Sequence, residues 1–240
     1  MIFEARYRVL FNTILAGGKG VEEGLVQTDS PFCGTRRFGM CYVDGRSEGG
    51  VQRMASIGTA LEVEDFAHVQ DGRILITCKG RERFRILSIV RERPIMIAEV
   101  EELAEDEDEG EQVTALAREV ADLLRSTIRL NVKLNNLEAT EDTLEPQELS
   151  DLGPRDLSYW IATFFQDIKV LQQSLLEEDS TLKRLTREKE ILSDTVRYYS
   201  ATVALKSLST TPGEPAYEPP SSSSSAPKAD KASDEPPKEA

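Results

Sequence analysis

Residues 71–90 read Asp71-Gly72-Arg73-Ile74-Leu75-Ile76-Thr77-Cys78-Lys79-Gly80-Arg81-Glu82-Arg83-Phe84-Arg85-Ile86-Leu87-Ser88-Ile89-Val90, and the fold turns on how they are read. Two apolar runs, from Ile74 to Lys79 and from Phe84 to Val90, are each too short for an ordinary helix and are bounded by an Asp-Gly turn and a glycine. They predict two strands joined at Gly80. Outward from them the same pattern recurs at Phe38–Val43, Met54–Val63 and Ile95–Val100, with Asp44-Gly45 supplying another turn. Short strands at this spacing predict a small barrel or sandwich. Ahead of them, Tyr7, Leu10, Phe11, Ile14 and Leu15 share one helical face, and Gly17 and Gly18 suit the end of that helix.

Beyond residue 100 the pattern changes. Residues 101–111 are mostly Glu and Asp, cannot bury themselves, and mark a boundary. Val113, Leu116, Val120, Leu123, Thr127, Leu130 and Leu134 then recur in steps of three and four, the stripe of a packed helix. Pro154 suits the first turn of a second helix carrying Leu157, Trp160, Ile161, Phe164, Ile168, Leu171 and Leu175. Asp179 or Ser180 caps a third, whose stripe from Leu182 through Leu185, Lys189, Leu192, Val196 and Tyr199 to Val203 predicts a rod of roughly 40 Å, longer than a compact bundle needs. From Ser209 the chain is rich in Pro and Ser, including Ser221 to Ser225, and reads as disordered. The expected organisation is a β domain over 1–104, a helical domain over 105–208 and a tail over 209–240.

The 240 residues carry 29 Lys and Arg against 43 Asp and Glu, a net charge of −14, so phosphate backbones and anionic membranes are repelled by the molecule as a whole. Residues 1–100 are nearly neutral, with 14 basic and 13 acidic side chains. No apolar run approaches the length of about 18 that a membrane span needs, and no signal peptide is written at the start. An intracellular, soluble protein is expected. The single histidine, His68, and three cysteines, Cys33, Cys41 and Cys78, make neither a disulfide framework nor a zinc site, and no metal or cofactor is expected. Gly17-Gly18-Lys19-Gly20 lacks the spacing of a phosphate loop, and His68 has no G-x-S-x-G partner, so no catalytic residue is assigned. The distinctive charged feature is Arg81, Arg83 and Arg85, which fall on one face of an extended strand. They form either a candidate binding face or a row neutralised by acids of a neighbouring strand or of the helical part.

Taken in series, Ile2-Phe3-Glu4-Ala5-Arg6-Tyr7-Arg8, Phe38-Gly39-Met40, Ile57-Gly58-Thr59-Ala60, Asp71-Gly72-Arg73, Lys79 to Ile86 and Pro94 resemble the amino-terminal substrate-recognition domain of Lon protease. The segments Asp156-Leu157-Ser158-Tyr159-Trp160 and Leu182 to Leu205 resemble the helical extension of its stand-alone, cyanobacterial and plastid-type versions. The resemblance implies an α+β protein: a PUA-like β pseudo-barrel, then a helical bundle with a long last helix. The family motif residues it singles out are Phe3, Glu4, Arg6, Tyr7, Phe38, Gly39, Gly58, Thr59, Asp71, Gly72, Arg73, Gly80, Arg83 and Phe84. Family members carry one or two strands ahead of the segment that begins at Ile2, so a truncated start and an unpaired barrel edge are expected. The Walker A loop and the Ser-Lys peptidase context of full-length Lon are absent from the sequence.

What the resemblance implies functionally is a non-catalytic module that recognises unfolded or extended polypeptides, as an adaptor in protein quality control working with a separate protease or chaperone. Self-association through the helices is a further expectation, as is a chloroplast location, with the cytoplasm as alternative. The competing reading is a PUA-like RNA-binding protein using Arg81, Arg83 and Arg85, which the net charge disfavours.

Overall fold

The computed structural model describes residues 2, 4–45, 53–69, 71–104 and 110–209. Phe3 and the serine- and proline-rich segment 210–240 lie outside the described residues. The chain opens with α1 (Ala5–Ile14), then runs through four antiparallel strands, β1 (Arg37–Asp44), β2 (Arg53–His68), β3 (Ile74–Arg91) and β4 (Ile97–Glu102), in the spatial order β1-β2-β3-β4. Six α-helices follow among the described residues: α2 (Glu111–Asn135), α3 (Glu141–Leu144), α4 (Glu148–Asp151), α5 (Pro154–Ala162), α6 (Lys169–Leu176) and α7 (Thr181–Ser209). The α+β order expected from the sequence is the order observed.

Alternation explains the sheet, but two readings of its punctuation are corrected. Gly80 is no turn: Ile74–Lys79 and Phe84–Val90 are one continuous strand, in which Gly80 pairs with Leu61. The register slips just after it, where Leu61 opposite Gly80 gives way to Thr59 opposite Arg83, so the glycine marks a bulge inside a strand. β2 likewise continues past Val63 to His68.

One core lies between α1 and the sheet, where Phe11, Ile14, Leu15, Val63 and Ile74 are buried and Ile2, Tyr7, Phe38, Phe66, Ile76 and Cys78 pack around them. Phe11 meets Phe38 edge to face at 5.0 Å. As its spacing predicts, α1 stops before Gly17, which takes φ +84°. The second core is helical: Val113, Ala117, Val120, Ala121 and Leu124 of α2 meet Leu149, Leu157, Ile161, Leu185 and Leu192.

The helices differ from expectation in two ways. The stretch from Pro154 to Leu175 is not one helix; α5 ends at Ala162, a tighter turn spans Thr163–Phe165, and α6 starts only at Lys169, with Gln172 donating to the Ala162 carbonyl at 3.0 Å across the break. Nor is α7, capped by Ser180 as expected, longer than its bundle needs. Lys189 pairs with Glu119 at 2.6 Å and Lys206 donates to the Leu134 carbonyl at 2.8 Å, so α7 lies parallel to α2 along nearly its whole length. At about 1.5 Å per residue the two rods are similar, roughly 43 Å and 37 Å.

Candidate binding surface

Period-two alternation puts Arg81, Arg83 and Arg85 on one side of a strand, but the structure gives them three different fates. Arg83 is only 6% exposed. Its Nη1 donates to the Leu176 carbonyl at 2.8 Å and the Glu178 carbonyl at 3.2 Å, and lies 3.2 Å from Asp179 Oδ1. Beside it Gln173 Nε2 donates to the Ile57 carbonyl at 3.0 Å. Arg83 is thus a latch between the sheet and the α6–α7 connection, because a guanidinium can serve two carbonyls and a carboxylate at once. Arg81 pairs with Glu62 of β2 at 2.8 Å. Arg85 is exposed and, alone of the three, has no ion pair among the described residues. Two of the three arginines of the candidate binding face are thus neutralised, Arg81 by the neighbouring strand and Arg83 by the helical part, and Arg85 is the one left open among the described residues.

Most of the motif residues build the scaffold. Phe84 is buried with its ring over Gly39 and Gly58; a Cβ at Gly58 would stand 2.7 Å from Phe84 Cζ and 2.5 Å from the Met40 carbonyl oxygen. Only glycine permits that approach. Thr59 pairs with Arg83 in register. Glu4 and Arg6 form an exposed ion pair at 2.9 Å, and the Arg6 guanidinium lies 4.6 Å from the centre of the Tyr7 ring. In the turn before β3, Arg73 reaches Asp71 at 2.5 Å and holds its carboxyl below the usual range, while Gly72 packs against the Arg8 guanidinium.

What remains outward-facing and chemically distinctive is the β3–β4 hairpin. Leu87 is 56% and Val90 68% exposed, and Ile89, Met96 and Val100 are also exposed. Ile86 stands opposite Val100 and Ile89 opposite Ala98, while Arg85, Arg91 and Arg93 are exposed on the same arm. Apolar side chains gathered on one exposed arm, rimmed by these arginines and by Glu92, Glu99, Glu101 and Glu102, suit contact with another chain's apolar groups. Periodicity alone could not single them out, because an apolar strand residue reads as core until its neighbours are known.

Groups able to do chemistry are not brought together there. Among the described residues no cluster of His, Cys, Asp or Glu fit to hold a metal occurs. Cys33, Cys41 and Cys78 are free thiols; burial pushes Cys41 up, and burial and the charge of Glu64 push Cys78 up, away from thiolate. His68 packs edge to face on Phe66 at 5.9 Å, and its Nε2 finds no hydrogen-bond partner among the described residues. The sequence reading missed the most unusual polar group, Glu188, fully buried on α7 one turn beyond the fully buried Arg184.

A family model described as the ATP-dependent protease La (LON) substrate-binding domain matches residues 1–194, spanning the sheet and the helices into the middle of α7. Among solved structures, the chain is similar to a Lon N-terminal domain protein from Xanthomonas campestris, at 23% identity and TM-score 0.46, covering 78% of this chain and 83% of that one. It is also similar to the N-terminal domain of a Mycobacterium avium complex Lon protease, at 18% identity and TM-score 0.37, covering 63% and 74%. No helix among the described residues is long and apolar enough to cross a membrane.

Proposed function

The chain belongs to the Lon substrate-binding domain family, and from that membership we propose that it is a non-catalytic module that captures unfolded or extended polypeptides and hands them to a separate protease or chaperone. The observation that carries the reading is the β3–β4 hairpin, whose Leu87, Ile89, Val90, Met96 and Val100 stand exposed on a scaffold of buried motif residues. A captured chain would lay its apolar side chains on that arm and gain burial that water does not offer, at about 25 cal/mol per Å² before the cost of ordering. The β part over 1–104 and the helical part over 105–208 act in this reading as separate folding units joined by the Arg83 latch.

The reading is tested by fluorescence anisotropy with one labelled protein in two forms, native and permanently unfolded by reduction and carboxymethylation. Saturable binding of the unfolded form, with at least tenfold weaker binding of the native form, is expected; equal affinity for both would overturn the reading. The RNA-binding alternative draws no support from the geometry, since Arg81 and Arg83 are already paired within the molecule.

A further inference from the structure

Arg184 and Glu188 are both fully buried in the helical core, one turn apart on α7, where side chains of that spacing are neighbours. The guanidinium is well supported. Its Nε donates to Ser158 Oγ at 2.8 Å, Nη1 to the Glu178 carbonyl at 2.7 Å and Nη2 to Thr181 Oγ1 at 3.3 Å, and its centre lies 3.9 Å from the middle of the Tyr159 ring. The carboxyl is not: neither oxygen finds a hydrogen bond among the described residues. Of the helices packed on this part of α7, α2 brings only apolar buried residues, from Val113 to Leu124, and α5 brings Leu157, Ser158 and Ile161 besides Tyr159. Charged residues of those helices, Arg118, Asp122, Arg155 and Asp156, are exposed, and Lys189 pairs with Glu119 at the surface. Among the described residues, Arg184 is thus the one charge acting on the Glu188 carboxyl.

A second link leads out of the core. The Glu178 carbonyl that accepts from Arg184 Nη1 also accepts from Arg83 Nη1 of β3, at 3.2 Å. Glu178 lies in the α6–α7 connection, so a single oxygen is held from the helices by Arg184 and from the sheet by Arg83. We propose that the proton on Glu188 locks this junction: with the carboxyl neutral, Arg184 stays on the Glu178 carbonyl, and once the proton is lost to solvent, the guanidinium turns to the carboxylate and leaves the connection to Arg83. An ionised carboxylate in these apolar surroundings has no other counter-charge, and a guanidinium cannot give up its own. A charged acceptor one turn away also outcompetes a neutral carbonyl for the same N–H, since charge-assisted hydrogen bonds are roughly twice as strong. Burial keeps the carboxyl neutral up to about pH 9, so the lock is closed at neutral pH and opens as pH rises through that value. The inference concerns the joint between sheet and helices and is independent of what the hairpin arm captures.

The test follows the uniformly carbon-13-labelled full chain from pH 4 to pH 10 by carbon-detected NMR, which base-catalysed proton exchange does not blunt. The signals read are the Glu188 carboxyl, the Glu178 backbone carbonyl and Arg83 Cζ. All are expected to shift with one midpoint near pH 9, while the signals of Leu15, in the α1 core, stay in place. In Glu188→Gln, whose side chain is neutral at every pH, the Glu178 and Arg83 signals should hold the positions they have in the wild type at neutral pH. A Glu178 carbonyl that does not follow the Glu188 carboxyl overturns the lock, as does a Glu178 shift near pH 9 that survives in the variant. A carboxyl that titrates near its ordinary value of 4.5 also overturns it, and so do Leu15 signals that move with the same midpoint, because the whole chain is then melting. Should the variant fail to fold, the wild-type titration decides alone, through the presence or absence of a shared midpoint.

Discussion

Glu188 has no solvent exposure, and neither of its carboxyl oxygens finds a hydrogen bond among the described residues. Burial pushes its pKa up to about 9; the Arg184 guanidinium pulls the other way but is already occupied by Ser158, Thr181, the Glu178 carbonyl and the face of Tyr159, 3.9 Å away. The folded state therefore binds a proton that the unfolded chain releases near pH 4.5. The contribution to stability is full below that pH and is lost as pH rises toward 9, by up to about 1.4 kcal/mol per unit. Urea titrations from pH 5 to 9 should show falling stability, and Glu188→Gln should flatten the slope; an equal slope in both proteins would contradict the assignment. Arg83 makes a second residue-scale prediction. Arg83→Met should cost about 1–3 kcal/mol, because it strips the half-buried Leu176 carbonyl of its donor and leaves the Glu178 carbonyl to Arg184 alone, whereas Arg81→Ala, breaking an exposed pair, should cost under about 1 kcal/mol. Comparable losses would argue against the latch. The sequence places both arginines on one strand face, but which one is buried depends on α6 and α7, more than 90 residues away.

Element by element, legibility follows how local the determining contacts are. α1 and the starts of α5 and α7 are readable because Gly17, Pro154 and Ser180 act on their own neighbourhoods. The continuity of β3 through Gly80 is not readable, since a glycine in a strand and one in a turn look alike until the partner strand is placed. The break between α5 and α6 escapes for the opposite reason: the apolar spacing continues through it, and the Gln172 bond to the Ala162 carbonyl that spans it joins residues ten apart. On α7, Lys189 lay in the expected stripe, yet Glu188 is the buried neighbour and Lys189 pairs outward with Glu119. At the strand scale, Gly58→Ala forces a methyl into the Met40 carbonyl and the Phe84 ring. It should destabilise by about 1–3 kcal/mol in thermal or urea unfolding; a neutral effect would mean the Phe84 site is looser than the geometry indicates.

At the scale of the whole molecule, two cores are joined by few polar contacts, chiefly Arg83 to the α6–α7 connection and Gln173 to the Ile57 carbonyl. The family match covers both parts, so the sheet and the helices form the unit that membership describes. The sequence resemblance was strong over the β part because its motif residues are mostly those that close the scaffold, such as Gly39, Gly58 and Phe84. The surface proposed for capture is made of ordinary apolar residues that carry no motif. Its role is tested most directly by titrating a labelled, reduced and carboxymethylated polypeptide into the wild-type chain and into a Leu87→Thr, Val90→Thr double variant, which keeps strand propensity while removing exposed apolar area. The account predicts saturable binding by the wild type and at least tenfold weaker binding by the variant at an unchanged melting temperature; undiminished binding by a normally folded variant would contradict it.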